Sequence, residues 1–428
     1  MTKNDEAWQM YFAKTDTLKE IERNGYTYIT ANSLKSLAER EPRLLVKIDT
    51  KNERPEVFKQ NNISIFPVSN GRYILFQDPE NKSFYQFSKE DSNLPIQVYN
   101  SDLDLLSYES YPGSQNLNES QALDFAYLSS LLSTFTGDNN LYLTIRSRIF
   151  SGKFQFSIPI NNHLVDVSSV QIEIDAGYES RDRIVLIEAK VGNRDDFQIR
   201  QIYYPYLEWC RRTDKPITTI FLVISNSKFF FYEFSFSNDF GDITLIRKKC
   251  YTINESPIAQ ISLLSKLNEV TVEREPEDIP YPQANDLDKV VDLISHVKQG
   301  HTTKTSLAEI FEFDERQGDY YANAARYLSF ISKSNNEFFT TPLGDEFLDI
   351  RPASQRTEFI IRQLMKRPTF RNVFQLIATR NLDFDHISNE EITSFIINFT
   401  NLTGSTPPRR ASTVRSWLNW VAQNVEFS

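Results

Sequence analysis

The chain has 428 residues, and its 57 acidic side chains against 47 basic ones give a formal net charge of -10. That length predicts roughly two or three domains with substantial cores. The acidic balance argues against a polycation that coats nucleic acid or an acidic membrane. It leaves open a DNA-binding protein, because only the surface that meets phosphate has to be basic.

The sequence lacks the patterns of several other protein classes. The two cysteines, Cys210 and Cys250, and the four scattered histidines show no zinc-ligand spacing. We expect both cysteines to be small core residues in a reducing compartment. No apolar run resembles a signal peptide or a membrane helix, so the sequence predicts a cytoplasmic protein without membrane contact. Only 12 glycines occur, and no glycine-rich phosphate-binding motif is present.

Residues 1–100 are predicted to form a mixed α/β region, a candidate DNA-recognition unit. Helical periodicity covers 6–25, and Thr30 is expected to cap a second helix. Short strands are predicted over 44–48, 64–68, 73–76 and 84–87. Asn70-Gly71 indicates a hairpin between the second and third of these strands.

Residues 101–270 are predicted to form the core. A helix is expected over 119–136, followed by strands over 142–145, 154–158, 170–174 and 183–188. A helix over 197–210 and strands over 218–224 and 229–236 complete it. This order predicts an α/β fold, mixed α+β in detail, with a central mixed sheet and flanking helices.

The most informative residues are Asp175 and the segment Glu188-Ala-Lys190. Side chains alternate along a strand, so Glu188 and Lys190 project from one face. Asp175 ends the preceding predicted strand, and a hairpin would bring it beside Glu188. Two carboxylates can hold Mg²⁺, and a lysine can orient or deprotonate a water and stabilise charge on a phosphate. The alternative interpretation is a salt-bridged, solvated hairpin, since Glu-x-Lys alone is common.

These residues resemble the PD-(D/E)xK nuclease signature, and the stretches 170–209 and 40–73 resemble a group of type II restriction endonucleases. The resemblance implies a restriction-endonuclease-like core that hydrolyses double-stranded DNA with Mg²⁺. It implies metal binding by Asp175, Glu188 and the Ala189 carbonyl, with Lys190 catalytic. The proline that names the signature is replaced by Ile174, a frequent departure in this superfamily.

Other acidic and polar residues are secondary candidates. Glu173 shares the strand face of Asp175 and is a candidate catalytic residue, either as an extra metal ligand or merely as an exposed residue. Glu119 is either a metal ligand or a helix-start charge favoured by the macrodipole. Gln201 is a candidate for holding a water or a phosphate. Glu179 is a weaker candidate in the loop.

Candidate phosphate contacts near the core are Arg146, Arg148 and Lys153, which also fit a solvated rim.

Residues 271–284 are acidic and contain proline, which predicts a linker. Residues 285–350 predict a winged-helix domain, with helices over 287–298, 306–311 and 316–331 and a turn at Asn335-Asn336. A major-groove helix would present Arg316, Gln317, Asn323 and Arg326. A protein-interaction module is the alternative.

Residues 351–428 are predicted to be a basic helical region. The window 351–380 holds seven Lys/Arg and one acid. A second helix-turn-helix is predicted near the end of the chain. Its candidate phosphate contacts are Arg409, Arg410, Ser412, Thr413 and Arg415. The alternative is a packing helix anchored by Trp417 and Trp420.

The leading hypothesis is a type II restriction endonuclease whose helical C-terminal domain helps to read the site. One catalytic core per chain requires a homodimer or successive nicks for a double-strand break. A restriction enzyme also implies a cognate DNA methyltransferase as a separate genetic partner. The alternatives are a modification-dependent or repair nuclease with the same core, and a non-catalytic winged-helix DNA-binding regulator.

Overall fold

The computed structural model describes residues 2–428 apart from 93, 105, 106, 111, 112, 114–116, 159, 161, 238–240 and 312–314. The described chain has an N-terminal unit, a central seven-stranded mixed sheet and a helical C-terminal region. The predicted mixed α/β fold with a central mixed sheet is therefore confirmed at this level.

The N-terminal unit packs short helices against a three-stranded antiparallel sheet of order β1-β3-β2. Its elements are α1 (Lys3–Ala13), α2 (Thr17–Asn24), β1 (Tyr26–Thr30), α3 (Ala31–Ala38), α4 (Pro42–Val46), α5 (Glu56–Gln60), β2 (Ile63–Ser69) and β3 (Arg72–Gln77). Thr30 caps α3 as predicted, because its side chain accepts a hydrogen bond from the Ser33 amide. Trp8 and Phe58 lie fully buried at the centre, with ring centroids 4.6 Å apart.

The central sheet has the order β5-β14-β13-β12-β10-β9-β6. The elements of this part of the chain are β4 (Phe84–Gln86), α6 (Lys89–Ser92), β5 (Ile96–Tyr99), α7 (Glu119–Leu128), α8 (Leu131–Thr136), β6 (Tyr142–Phe150), β7 (Phe154–Ser157), β8 (Leu164–Val167), β9 (Gln171–Glu179), β10 (Ile184–Val191), β11 (Asp196–Gln198), α9 (Arg200–Arg212), β12 (Ile217–Ser225), β13 (Lys228–Phe236) and β14 (Ile243–Ile253). β10 pairs antiparallel with β9 and parallel with β12, and α9 makes the crossover between them.

Both faces of the sheet are covered. Helices α7 and α8 bury one face, where Phe135 stacks on Phe231 at 4.9 Å. Helix α9 and the β7–β8 hairpin bury the other face together with β2 and β3. Tyr204 on α9 donates a hydrogen bond to the Pro67 carbonyl at 2.9 Å, which ties the N-terminal unit to the sheet. Two-sided burial explains the continuous apolar runs of β10 and β12.

The C-terminal region is a helical unit with two short hairpin strands. Its elements are β15 (Ala259–Ile261), α10 (Leu263–Glu269), α11 (Leu287–Lys298), α12 (Lys304–Phe311), α13 (Glu315–Tyr327), β16 (Ile331–Ser334), β17 (Glu337–Thr340), α14 (Pro342–Asp349), α15 (Ala353–Lys366), α16 (Pro368–Thr379), α17 (Asn389–Phe399), α18 (Thr406–Asn424) and β18 (Val425–Phe427). β15 pairs in parallel with β18, so the two ends of this unit meet. Its core extends from Ala259 to Val425.

The predicted linker is packed against this unit. Tyr327 donates a hydrogen bond to the Glu275 carboxylate at 2.7 Å, and Glu275 also accepts one from the Thr369 amide at 3.0 Å. Tyr281 is buried in the same core. The helical unit therefore starts near Ala259, earlier than the boundary at 285 that composition predicted.

The C-terminal unit is joined to the sheet through a buried polar interface. The turn between β12 and β13 inserts into it, and Asp292 on α11 accepts hydrogen bonds from the Ser225 hydroxyl at 2.6 Å and the Asn226 amide at 2.8 Å. Asp288, one helical turn earlier, accepts bonds from the Asn226 side chain and the Trp420 indole. This network holds α11 against the carboxyl end of β12.

Several sequence predictions differ from the structure. The predicted strand over 44–48 is wrong, since Pro42 at the first position of a helix starts α4 there. The predicted helices over 6–25 and 119–136 are each divided in two, the second at Ser130 with φ 63°. Strand β14 was not anticipated, because charged residues interrupt its apolar pattern. Cys250 is buried as predicted, but Cys210 is exposed.

The N-terminal boundary also differs, because β5 joins the central sheet although its residues fall within the predicted 1–100 region. Across the described residues, no helix is long and apolar enough to cross a membrane.

We predict that stability falls as the interface carboxyl of Asp292 ionises. Burial raises the pKa of Asp292 to about 7, with Asp288 and Asp286 adding to the shift while the bonds from Ser225 and Asn226 oppose it. The pKa of Asp292 is higher in the folded than in the unfolded protein, so the protonated carboxyl stabilises the fold fully at pH values below the unfolded-state pKa. This stabilisation is lost as the pH rises through about 7. Each pH unit between the two values costs up to about 1.4 kcal/mol.

The measurement is the free energy of unfolding of wild type and Asp292→Asn between about pH 5 and 8. The Asn variant should show a flatter profile, whereas the exposed control Asp278→Asn should follow wild type. Parallel profiles for wild type and Asp292→Asn would contradict the assignment.

Candidate functional site

Asp175 and Glu188 lie side by side on neighbouring strands. The β9–β10 register pairs Ile187 with Ala176, so the next residues along the two strands are Glu188 and Asp175. The Ala189 amide donates a hydrogen bond to Asp175 Oδ2 at 2.8 Å, and Lys190 Nζ lies 2.7 Å from Glu188 Oε1. Asp175 lies within β9, which is longer than predicted, and not at the end of the strand. The structure brings all three predicted residues together.

The side chain of Glu188 is largely buried. Its side chain is 12% exposed, as is that of Lys190. Burial raises the pKa of Glu188 well above its ordinary value, and Asp175 and Glu119 raise it further, while Lys190 opposes the shift. A solvated surface hairpin would not have this electrostatic environment. The observed burial therefore argues against a solvent-exposed salt bridge here.

The three residues face a cleft of about 660 Å³ between the units of the protein. Its lining includes Lys47, Asp49, Glu119, Glu173, Asp175, Glu188, Lys190, Arg200, Gln201, His296, Gln299, His301, Glu309 and Ile310. Six of these are carboxylates and three are Lys or Arg. Such an excess of negative charge attracts cations and would repel a phosphodiester that arrived without one.

Asp49 is a site residue that the sequence did not reveal. It is 5% exposed, and its backbone carbonyl accepts a hydrogen bond from the Gln198 amide at 2.7 Å. Burial opposes its ionisation, but Arg200, Lys47 and Lys190 outweigh that effect and lower the pKa of Asp49. It follows the segment wrongly predicted as a strand, and only the tertiary fold carries it to the cleft.

The secondary candidates differ in their surroundings. Gln201, at the start of α9, lines the cleft, and its Oε1 atom is buried without a hydrogen-bond partner among the described residues. Glu173 and Glu119 also line the cleft, but Glu173 is paired with Arg148 at 3.0 Å. Glu179 points away from the site and binds Lys215 at 2.5 Å.

These groups fit a hard divalent cation. Asp175 and Glu188 supply adjacent carboxylate oxygens, and Gln201 Oε1 is a further neutral oxygen in the same cleft. In the described part of the chain, no group of three or more His, Cys, Asp or Glu side chains could by itself hold a metal ion, so Asp175 and Glu188 would be the two protein carboxylates of such a site. Water and backbone oxygens, such as the Ala189 carbonyl, would therefore complete the shell, as Mg²⁺ readily accepts.

The basic residues predicted near the core are mostly engaged. Arg146 binds Asp124 at 2.8 Å and donates to the Asp175 backbone carbonyl at 3.3 Å, so it helps to fix the position of the Asp175 backbone. Arg148 is held by Glu173, and Lys153 is exposed beyond the end of β6.

The residues predicted on α13 divide into two groups. Arg316 is exposed and its guanidinium contacts Tyr320. Asn323 is 6% exposed, and its side chain binds those of Asp319 and Arg326 on the same helix. Gln317 lies in a crevice against the core, which also removes it from an open recognition face.

The residues predicted on α18 divide in the same way. Arg409 and Ser412 are exposed, and Arg410 is half-buried. Thr413 is 3% exposed and donates to Asn285, and Arg415 binds the carbonyls of Phe384 and Ile387. Thr413 and Arg415 therefore hold α18 against its neighbours.

The basic window over 351–380 is likewise largely structural. Arg356 and Arg367 are buried, and they donate to Ser227 and to the Tyr327 carbonyl respectively. Arg371 binds the Val270 carbonyl, and Arg380 binds Glu391 at 2.6 Å. The window therefore does not form an open phosphate-binding face.

Three segments of the chain match models of domains of unknown function. Residues 5–75 match DUF6996, residues 79–252 match DUF6997 and residues 289–426 match DUF7226. No significant match was found among curated proteins or among solved structures. The cleft draws on all three segments, with Asp49 from the first, Asp175 and Glu188 from the second and His296 from the third.

We predict that Mg²⁺ binding releases a proton from the cleft. Burial raises the pKa of Glu188, and a cation binds only its ionised form, so cation binding favours loss of a proton from this group. Calorimetry in buffers of different ionisation enthalpy should show proton release that disappears in Glu188→Gln. The control Glu179→Gln, on the neighbouring strand, should behave as wild type. Equal proton release by Glu188→Gln would contradict the prediction.

Proposed function

We propose that this protein is a Mg²⁺-dependent endonuclease that hydrolyses phosphodiester bonds in double-stranded DNA at specific sites, as type II restriction enzymes do. The observation that carries the proposal is the pairing of Asp175 and Glu188 on adjacent strands, with Lys190 at 2.7 Å, in a cleft. The resemblance of this segment to PD-(D/E)xK nucleases supports the same conclusion. On this basis we also propose that the core is restriction-endonuclease-like.

Each residue has a defined task in this proposal. Asp175 and Glu188 hold the cation, and the Ala189 amide fixes the orientation of Asp175 through its bond to Oδ2. Lys190, as an ammonium, orients the attacking water and stabilises negative charge on the phosphate. Gln201 accepts a hydrogen bond from a water through its unpartnered Oε1 atom.

A bound Mg²⁺ would act as a Lewis acid on the phosphodiester and would lower the pKa of a coordinated water. The buried ion pair between Glu188 and Lys190 balances charge before the cation arrives. If Glu188 bound the cation, the Lys190 ammonium would interact with the substrate. Asp49 is close enough to Lys190 to influence its charge and is proposed as a positioning residue.

We also propose that the first part of the C-terminal unit is a winged-helix domain. Helices α11, α12 and α13 are followed by the hairpin β16–β17, which turns at Asn335 and Asn336 with positive φ. Gly318 lets α13 approach α12, since a Cβ there would lie 2.5 Å from the Lys304 carbonyl oxygen. Close helix packing of this kind is typical of helix-turn-helix domains.

A small basic surface supports DNA contact by this unit. Tyr320 on α13 contacts Arg316 and lies within electrostatic range of Arg410 on α18, beside Arg409. The two helices thus bring Arg316 and Arg410 near one tyrosine, and Arg409 is the exposed neighbour of Arg410 in sequence. We propose that this surface, and not the whole 351–428 region, binds phosphate.

One cleft per chain holds one set of Asp175, Glu188 and Lys190. Cutting both strands therefore requires a homodimer or two successive nicks. A site-specific endonuclease of this class would also require a cognate DNA methyltransferase that protects the host's own DNA. Whether methylation blocks or promotes cleavage separates a restriction enzyme from a modification-dependent nuclease.

We predict that Lys190→Ala lowers Mg²⁺-dependent DNA cleavage at least about 100-fold, because the variant loses the group that orients the water and stabilises charge on the phosphate. The measurement is the initial rate of plasmid cleavage by purified protein. Lys215→Ala is a matched control, since Lys215 also pairs with a glutamate of the same strand pair, Glu179, outside the cleft.

Retained cleavage by Lys190→Ala would contradict the assignment of Lys190 and of the nuclease function. Cleavage of methylated plasmid alone would favour the modification-dependent alternative. Metal-independent binding of DNA without any cutting would favour the regulator.

We predict that Arg316→Ala combined with Arg409→Ala weakens DNA binding and makes it less dependent on salt. Each lost phosphate contact should lower the slope of log affinity against log salt by roughly 0.9, so the double variant should lose about 2. Binding titrations at several salt concentrations measure this slope. Arg43→Ala, an exposed arginine of α4, is the control. An unchanged slope in the double variant would contradict the proposed surface.

A further inference from the structure

One wall of the catalytic cleft comes from the C-terminal unit. His296 at the end of α11, Gln299, His301 and Glu309 line the same space as Glu188 and Lys190. This wall is held in place by the core, because Arg194 donates to the Ile310 carbonyl at 3.1 Å and Asp292 binds the turn after β12. The helical unit is therefore part of the cleft and not an appendage beside it.

His296 is the unusual residue of this wall. It is 8% exposed, and neither ring nitrogen has a hydrogen-bond partner among the described residues. Phe311 packs edge-on against the ring at 5.3 Å, His301 lies 6.0 Å away, and Gln299 is near without meeting hydrogen-bond geometry. Buried polar groups without partners are costly, and such exceptions commonly mark a place where a ligand or water supplies the bond.

The ligand expected in this cleft is a phosphodiester strand. A neutral imidazole offers one N–H donor to a phosphate oxygen, and a protonated imidazole offers two. Burial lowers the pKa of His296 to about 4, and His301 and Arg194 lower it further, so the ring is neutral before a ligand binds. The carboxylate among the C-terminal lining residues, Glu309, faces the same space.

We infer that His296 contacts a phosphate oxygen of the DNA strand bound in the cleft, so that the C-terminal unit contributes directly to substrate binding at the catalytic site. The inference rests on the proposed nuclease function. It adds a substrate-binding residue that lies more than a hundred residues from the Asp175, Glu188 and Lys190 set.

The test compares Mg²⁺-dependent DNA cleavage by wild type, His296→Phe, His296→Gln and the control His386→Gln. Phe keeps a ring of similar size and removes both nitrogens, and His386 is an exposed histidine outside the cleft. His296→Phe should raise the half-saturating DNA concentration about tenfold to a hundredfold, with a smaller effect on the maximal rate. His296→Gln should recover part of the loss, and His386→Gln should match wild type.

The outcomes are separable. A folded His296→Phe protein with an unchanged half-saturating concentration overturns the inference and leaves the proposed function standing. A wild-type protein that neither binds nor cuts DNA overturns both.

If His296→Phe fails to fold, ¹⁵N-histidine NMR of the full-length Glu188→Gln protein with a DNA duplex provides a second measurement. The ring nitrogens of His296 should shift on DNA addition while those of His386 do not. No shift at His296 with DNA bound overturns the inference.

Discussion

The arrangement of this protein depends on the burial of a carboxyl group, that of Glu188, on the wall of a cleft. Burial and the neighbouring Asp175 oppose ionisation, and Lys190 at 2.7 Å offsets only part of that cost. An ion pair of this kind contributes little to stability on its own, because desolvation consumes most of the Coulombic gain. Its presence on a central strand is more readily explained by a bound cation or by chemistry than by folding.

The three units of the chain are organised around this constraint. The central sheet supplies Asp175 and Glu188, and α9 supplies Arg200 and Gln201 from the crossover that a parallel strand pair requires. The N-terminal unit brings Asp49, whose ionised form is stabilised by Arg200, Lys47 and Lys190. The C-terminal unit closes another side. Its attachment through Asp288 and Asp292 is itself a set of buried carboxylates.

Local patterns in the sequence were sufficient to find Asp175, Glu188 and Lys190, because strand alternation and a short hairpin fix their neighbourhood. The order of α11, α12, α13 and the following hairpin was also visible from periodicity and from Asn335-Asn336. Asp49 and His296 were not visible, since their positions arise from packing between units. The arginines of 351–380 are the opposite case, in which a feature that is evident in the sequence has a structural role. Their charge is apparent in the sequence, whereas their bonds to carbonyls, such as that of Arg371 to Val270, are set by the tertiary fold.

The central claim is that the cleft hydrolyses DNA at defined positions. The most direct measurement is to incubate genomic DNA with purified protein and Mg²⁺ and to sequence the ends of the fragments, with the Glu188→Gln protein treated in parallel. The account predicts ends that share one short sequence and that arise only with the wild-type protein and the metal. DNA left intact by wild type, or identical fragments produced by Glu188→Gln, would contradict it.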